Sequence, residues 1–281
     1  MWQIVVPRLL CTGLVLGMSR CLVSGQDSPS LPDIEDKQFI DDCVKMHNSV
    51  RSTVKDASDM LFMTWDEGLA TTARAWSRKC DVQHNIYLKE PKRVHPSFSS
   101  VGENIWTGYP TSIFSVQSYL NLWVAEVNDY SNQSNTCMQG KICGHYTQVV
   151  WASSYKVGCA VNICPNGVAR TNFSTKKAAI FVCNYAPAGN VAGRRPYKTG
   201  VACSDCEGET AKCQGNLCRN PERDAQKSYS WTPDWDNLPV TGTTCGPSCV
   251  SILVIRPLAL LLTFLSAYGA KQYYPDIFFY E

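Results

Sequence analysis

The high number of cysteines in this chain points to disulfide chemistry. Fifteen of the 281 residues are cysteine. Outside a metal-cluster protein, such a content is typical of an oxidising compartment where disulfides persist. Four of them, Cys203, Cys206, Cys213 and Cys218, lie close enough in sequence to form a small module. The chain is therefore predicted to be an exported protein that is cross-linked by disulfides.

A carboxylate and an imidazole occur at conspicuous positions on otherwise apolar elements. Glu126 falls on the apolar stripe of a helix that the spacing predicts over 112–129. A buried carboxylate needs hydrogen-bonding partners, so Glu126 is a candidate site residue. His145 begins a predicted strand beside Gly144, where it can lie at the edge of a cleft. No HExxH, GxSxG or Cys–His nucleophile motif accompanies them, so the sequence gives no independent sign of an enzyme.

Helices are predicted in the first part of the chain and strands in the later part. Apolar residues recur at helical spacing from Phe39 to Val50, again after Asp66, and a third time over 112–129. Helices followed by strands predict an α+β domain with an antiparallel sheet and helices on its faces. The predicted strands, dense in Val, Ile, Tyr and Trp, are 145–152, 156–163 and 178–185.

Both ends of the chain carry apolar segments. A basic start, a short apolar run and small residues before Gln26 predict a signal peptide over 1–25 that is removed. The apolar segment 250–270 has the length of a transmembrane helix, and Arg256 near its outer end can snorkel to the headgroups. We expect this segment to span a membrane in a type I orientation. A lipid-anchor signal and a secreted soluble product are the alternatives.

The remainder of the chain divides by composition into a large domain and smaller appendages. The net charge of +2 gives no electrostatic footprint for nucleic acid. The predicted boundaries are 33–197 for the domain, 198–220 for the cysteine module, 221–249 for a stalk rich in Pro, Gly, Thr and Asp, 250–270 for the transmembrane helix and 271–281 for a short tail.

Two motifs give the chain a resemblance to a known family. GHYTQVVW at 144–151 and FVCNYAPAGN at 181–190 resemble the paired signatures of the CAP superfamily, the cysteine-rich secretory, antigen 5 and pathogenesis-related proteins. GENIW at 102–106 and the dipeptide His84-Asn85 fit the same pattern. The resemblance covers 33–197. A cysteine module and an apolar segment then follow in the order of the glioma pathogenesis-related protein 1 group.

This resemblance implies a fold and a disulfide scheme. The fold is a three-layer α-β-α sandwich with a central antiparallel sheet, followed by a hinge-like cysteine module. Cys43 is left as a free buried thiol, and Cys245 and Cys249 are left to close a small loop, although spacing does not determine connectivity. The implied disulfides are Cys80–Cys164, Cys137–Cys143, Cys159–Cys183, Cys203–Cys213 and Cys206–Cys218.

The resemblance also places four polar residues in one cleft: His84, Glu103, Glu126 and His145. Two neutral imidazoles, with the carboxylates as ligands or as groups that orient the rings, form a weak and open site for a divalent ion such as zinc. The metal ligands are then His84 and His145. A hydrogen-bonded structural cluster is the alternative interpretation of the same four residues.

Two classes of function are compatible with these features. The favoured hypothesis is a non-enzymatic, membrane-tethered extracellular protein that serves recognition or binds a lipid or sterol, with a cell-surface protein as another possible partner. The alternative is a metal-dependent hydrolase, plausibly a protease, in which Glu103 or Glu126 acts as the base on a metal-bound water.

The remaining motifs are expected to be structural. His47 should lie on the buried face of the first helix, and His95 should be exposed in a basic loop. The sequons at Asn132 and Asn172 predict N-glycans and support export through the secretory pathway.

Overall fold

The computed structural model describes residues 31–208, 211–236 and 256–274. The signal peptide, Cys245, Cys249 and the start of the predicted transmembrane segment lie outside these residues. The helices are α1 (Lys37–Ser52), α2 (Glu67–Ser77), α3 (Val116–Ala125), α4 (Gly144–Val149), α5 (Pro221–Asp224) and α6 (Arg256–Tyr273), with 3-10 turns at Thr111–Ile113 and Glu126–Asp129. The strands are β1 (Thr64–Trp65), β2 (Gly102–Gly108), β3 (Tyr130–Ser131), β4 (Thr136–Cys137), β5 (Lys156–Cys164), β6 (Ala178–Ala186), β7 (Lys212–Gln214) and β8 (Leu217–Arg219).

A four-stranded sheet in the order β1-β5-β6-β2 forms the centre of the domain. β6 pairs antiparallel with both β5 and β2, whereas the two-residue β1 runs parallel to β5. The sheet is therefore antiparallel except at one short edge. Strand β2, which sequence periodicity did not predict, forms the opposite edge and carries Glu103.

The two faces of the sheet are covered by different helices. Helix α2 lies so close to one face that a Cβ on Gly158 would collide with the backbone of Asp66 and Ala70. On the other face, Phe181 of β6 contacts Phe39 of α1 and stacks on Trp123 of α3, with ring centroids 6.3 and 5.5 Å apart. The result is the three-layer α+β sandwich that the family resemblance implies, and it agrees with the antiparallel sheet with helices on its faces that the helix and strand pattern predicted.

Each of the first two predicted helices begins after an aspartate that caps it. Asp36 and Asp66 accept hydrogen bonds from the Phe39 and Leu69 amides at the starts of α1 and α2. The third predicted helix is interrupted, because only 116–125 is α-helical and 3-10 turns lie at 111–113 and 126–129. Glu126 is thus at the end of α3 rather than in its middle.

Five disulfides join the described cysteines, and their partners are those that the family resemblance implies: Cys80–Cys164, Cys137–Cys143, Cys159–Cys183, Cys203–Cys213 and Cys206–Cys218. Within the described residues, Cys43 is a free thiol and is buried.

The prediction of a strand over 145–152 is wrong, because Gly144–Val149 is a short helix. As a strand, this segment would place His145, Thr147, Val149 and Trp151 on one side and Tyr146, Gln148 and Val150 on the other. The four consecutive residues 146–149 are in fact all buried, so period-2 alternation carried no information about the backbone here. The following strand predictions, 156–163 and 178–185, correspond to β5 and β6.

The segment predicted to be a stalk packs against the domain in its described part. Tyr229 donates from its hydroxyl to Asp66 Oδ2 (3.1 Å), and Trp235 Nε1 donates to the Arg93 carbonyl (2.7 Å). The Trp235 ring also stacks on Tyr87, with centroids 5.3 Å apart. These aromatic contacts hold residues 221–236 against the domain, although their Pro- and Asp-rich composition predicted an extended stalk.

The C-terminal helix α6 belongs to a second unit, which begins at Asn237. It covers part of the segment 250–270 that was predicted to span a membrane. In the described parts of the chain, no helix combines the length and the apolarity that a bilayer crossing requires.

Candidate functional site

His84 forms a hydrogen-bonded pair with Glu103. The His84 Nδ1 lies 2.9 Å from Glu103 Oε1, and the same oxygen accepts the Asn85 amide at 2.9 Å. The Glu103 side chain is fully buried, whereas the His84 side chain is 61% exposed. The carboxylate on β2 therefore anchors an imidazole that otherwise faces solvent, and its second oxygen, Oε2, is buried without a hydrogen-bond partner.

His145 forms the equivalent pair with Glu126. Nδ1 of His145 lies 2.6 Å from Glu126 Oε1. The other oxygen, Oε2, accepts the amides of His145 (2.9 Å) and Tyr146 (3.1 Å). Glu126 thus binds the first amides of helix α4 and the imidazole that this helix carries, which explains why a carboxylate is present on the stripe of α3.

An aromatic side chain fixes the plane of the His145 ring. Trp123, one turn before Glu126 on α3, stacks on His145 with ring centroids 5.9 Å apart and planes 4° apart. The imidazole is held by a carboxylate at Nδ1 and by an indole against its face. Its Nε2 therefore points in a direction set by two neighbours on one helix.

The two pairs are connected through edge strand β2. Asn104, next to Glu103 on edge strand β2, donates from Nδ2 to the His145 carbonyl (3.0 Å). A metal site with three protein ligands needs three His, Cys, Asp or Glu side chains whose ligand atoms lie close together. Among the described residues, one such group has its ligand atoms within 4.8 Å of one another, and it consists of Cys203, Cys206 and Cys218. Those sulfurs are in disulfides. The carboxylates of the two pairs therefore position the rings, and each imidazole keeps Nε2 for a further contact.

Burial shapes the protonation of the first pair. Desolvation raises the pKa of Glu103 above its ordinary value, although His84 and the Asn85 amide favour the carboxylate. The hydrogen bond to Glu103 raises the pKa of His84. Both shifts favour retention of a proton between His84 Nδ1 and Glu103 Oε1, which leaves the lone pair of Nε2 available when the imidazole is neutral.

Exposed apolar side chains occur beside both pairs. Ile86 is two residues after His84 and is 67% exposed. Met138 and Ile142 are 58% and 68% exposed, and they lie in the loop that the Cys137–Cys143 disulfide closes just before His145. Exposed apolar groups mark a surface that binds a partner where they form a contiguous patch rimmed by polar residues.

The other two histidines are structural. His47 is fully buried, as expected for the inner face of α1. The prediction that His95 is exposed is wrong. It is fully buried, its Nε2 donates to Asp66 Oδ1 (2.9 Å), and its Nδ1 accepts the amides of Ser97 and Phe98. Sequence reasoning missed this buried pair because the surrounding basic loop is polar.

The two sequons differ in accessibility. Asn172 is exposed. Asn132 is half-buried, and its Nδ2, the atom that glycosylation modifies, donates to Thr199 Oγ1 at 3.2 Å. The geometry therefore favours Asn172 as the acceptor, while glycosylation of either residue stays a prediction.

Comparison with known proteins gives a consistent assignment. Residues 44–185 match the model of the CAP family, described as the cysteine-rich secretory protein family. The chain is 45% identical to GLIPR1-like protein 1 of Bos taurus over 215 residues, which is 76% of this chain and 85% of that protein. It is 42% identical to glioma pathogenesis-related protein 1 of Mus musculus over 249 residues, which is 88% of this chain and 89% of that protein. Among solved structures, Na-ASP-1 is similar with a TM-score of 0.53 and 25% identity, over 68% of this chain and 51% of that one.

Proposed function

The chain belongs to the CAP family of cysteine-rich secretory proteins and to its GLIPR1 group, a non-enzymatic extracellular kind of protein, and we propose on this premise that it is a recognition protein whose two histidine–glutamate pairs hold a divalent ion such as zinc. The observation that carries the proposal is the geometry of the imidazoles. Each has Nδ1 bonded to a carboxylate, the arrangement that fixes the tautomer and raises the basicity of metal-binding histidines.

The donor set fits zinc better than harder ions. Imidazole nitrogen is a borderline ligand that suits zinc, whereas magnesium prefers oxygen. His84 and His145 would hold the ion through Nε2, and the remaining positions would be taken by water or by a ligand. A two-histidine site of this kind is open and weak.

The carboxylates argue for binding rather than hydrolysis. A general base must reach the proton that it removes. Both oxygens of Glu126 already accept hydrogen bonds, and Glu103 has no exposed surface on its side chain. This supports a positioning role for Glu103 and Glu126 over the metal-dependent hydrolase hypothesis.

The proposed ligand is a lipid or sterol, or the apolar surface of a cell-surface protein. The exposed side chains of Ile86, Met138 and Ile142 beside the histidines support contact with an apolar partner. A separate pocket of about 430 Å³ between α1 and the start of α3 is lined by Phe39, Met46 and Phe114 and by polar residues that include Asp36 and Asp42. Such a pocket suits the tail of an amphipathic lipid.

We expect zinc to raise the thermal midpoint of the purified domain by about 3 °C at a concentration roughly ten times its dissociation constant. His145→Ala should remove most of this shift, because it deletes one of two ligands. Glu126→Gln keeps the ligand but loses its carboxylate anchor, so it should weaken zinc binding by about tenfold or more. Differential scanning calorimetry of the wild type and of both variants, with and without zinc, measures these shifts.

Magnesium serves as the ion control and should give no shift. The proposal fails if zinc leaves the wild-type midpoint unchanged, or if His145→Ala shows the same zinc-dependent shift as the wild type.

We also propose that the segment 250–270 attaches the protein to a membrane. Leu260, Leu261 and Phe264 of α6 are 61%, 59% and 74% exposed, and a group of exposed apolar side chains on one helix is typical of a site that contacts a membrane or a protein partner. The full chain should remain in the membrane pellet after alkaline extraction, whereas a chain truncated after Cys249 should appear in the medium. Release by a phospholipase would identify a lipid anchor instead, and recovery of the full chain in the medium would contradict attachment.

A further inference from the structure

A pocket of about 600 Å³ lies apart from the histidine pairs, on the segment that follows the second CAP motif. Its walls come from Asp59, Trp151 and residues 194–199, with Gln133 of the sequon loop at one side. None of the four residues of the histidine–glutamate pairs lines it. The volume is within the range of roughly 300–1,000 Å³ that is usual for small-ligand sites.

The pocket carries an excess of positive charge. Arg194, Arg195 and Lys198 line it, and none of them forms an ion pair with a carboxylate in the described part of the chain. The single acidic residue in the lining is Asp59, whose Oδ1 accepts the backbone amide of Lys198 at 3.0 Å. Three cations against one carboxylate favour an anionic ligand.

One of these cations is held in a fixed orientation. Arg195 donates from Nε to the Asn132 carbonyl (2.8 Å) and from Nη2 to the Gln133 carbonyl (2.7 Å). This leaves Nη1 of the guanidinium for a ligand. A planar guanidinium held in this way suits a carboxylate or a sulfate.

The floor of the pocket is rigid. The Ala152 amide donates to the Pro196 carbonyl (2.7 Å), and the Ser58 amide donates to the Lys198 carbonyl (2.9 Å). Behind the floor, the buried guanidinium of Arg51 donates to the carbonyls of Trp151 (2.7 Å) and Ala152 (3.0 Å). A preformed pocket loses little conformational entropy when it binds a ligand.

The walls also include two aromatic residues. Trp151 and Tyr197 line the pocket and are 5% and 8% exposed, so each contributes a small apolar area beside the cations. The cations would supply most of the binding energy through the acidic group of a ligand. The net charge of the whole chain is only +2, so the excess of positive charge is local and suits one acidic unit of a glycan rather than the extended basic surface that nucleic acid requires.

We propose that this pocket binds an acidic sugar unit of an extracellular glycan, with its carboxylate or sulfate on Arg194, Arg195 and Lys198. Two sources share this chemistry, sialylated glycans and sulfated glycosaminoglycans. The proposal is independent of the metal proposal because the two sites share no residue.

The test is a calorimetric titration of sialidase-treated, purified protein with 3′-sialyllactose and with a heparin-derived tetrasaccharide, and with lactose as the uncharged probe. We expect one of the two acidic probes to bind and lactose not to bind, with an affinity that falls as salt is added. Arg194→Gln combined with Lys198→Gln should weaken that binding by about tenfold or more, because two charge-assisted contacts are lost.

The matched control is Lys89→Gln combined with Lys92→Gln, which removes two exposed lysines outside the pocket lining. This variant should bind as the wild type does. The proposal is overturned if neither acidic probe binds, or if the Arg194/Lys198 and Lys89/Lys92 variants lose affinity equally. Preferential binding of sialyllactose or of the tetrasaccharide identifies the source.

Discussion

Replacing Arg51 with alanine should lower the free energy of unfolding by about 4 kcal/mol. The Arg51 side chain is fully buried at the end of α1, and desolvation lowers its pKa to about 9. Its guanidinium donates five hydrogen bonds to the carbonyls of Leu61, Val149, Trp151 and Ala152. Alanine would leave these buried carbonyls short of donors and would open a large cavity.

Urea denaturation followed by tryptophan fluorescence measures this loss. Lys37→Ala is the control on the same helix, because the Lys37–Asp41 pair is exposed and should contribute less than about 0.5 kcal/mol. Arg51→Lys should give an intermediate loss, since an ammonium retains the charge but has fewer donors. An Arg51→Ala protein as stable as the Lys37→Ala protein would show that the carbonyls find other donors.

Acidification from pH 7 to pH 5 should cost the wild-type protein about 2 kcal/mol through His47 alone. Burial lowers the pKa of His47 from 6.5 to about 4. A folded-state pKa below the unfolded value means that the folded protein prefers the neutral imidazole. The contribution to stability is therefore complete above about pH 6.5 and is lost as the pH falls towards 4.

The contacts of His47 explain why protonation is disfavoured. Its Nδ1 donates to the Cys43 carbonyl (2.7 Å), and its Nε2 lies 2.9 Å from the Tyr185 hydroxyl. That hydroxyl also accepts from Asn104 Nδ2 (3.4 Å), which donates to the His145 carbonyl as well. Charging Nε2 would turn it into a donor and would force this buried network to rearrange.

His47→Gln tests the assignment because an amide does not titrate in this range. The variant should be less stable at pH 7, but its stability should fall less than that of the wild type between pH 7 and pH 5. The difference between the two curves isolates the His47 contribution from that of the carboxylates. Parallel curves over this interval would contradict the prediction.

Local patterns in the sequence were sufficient for two helices and two strands. The apolar stripes of α1 and α2, the second of them after Asp66, predicted both helices, and β5 and β6 followed from their β-branched and aromatic content. Glu126 was recognised as a candidate because it interrupts an apolar stripe. The structure gives the reason, since this carboxylate binds the first amides of α4.

Elements determined by long-range contacts were not predictable in the same way. Helix α4 depends on a carboxylate 19 residues earlier in the chain, and no local pattern encodes that partner. The burial of His95 depends on Asp66, which is 29 residues away. The anchoring of 221–236 depends on single aromatic residues, Tyr229 and Trp235, whose partners lie more than 140 residues earlier. His84 and Glu103 were found through family motifs rather than through periodicity.

Because the thiol of Cys43 is unpaired, the stage of folding at which it becomes buried affects whether the disulfides form correctly. In the unfolded chain this thiol can attack any of the disulfides that are forming, and it would give mispaired isomers. Once α1 docks on the sheet, Cys43 has no exposed surface, and burial raises the pKa of its sulfur. The thiolate is the reactive form, so Cys43 no longer takes part in thiol–disulfide exchange once α1 has docked. Packing of the first helix must therefore precede the final oxidation steps if the ten paired cysteines are to reach a single arrangement.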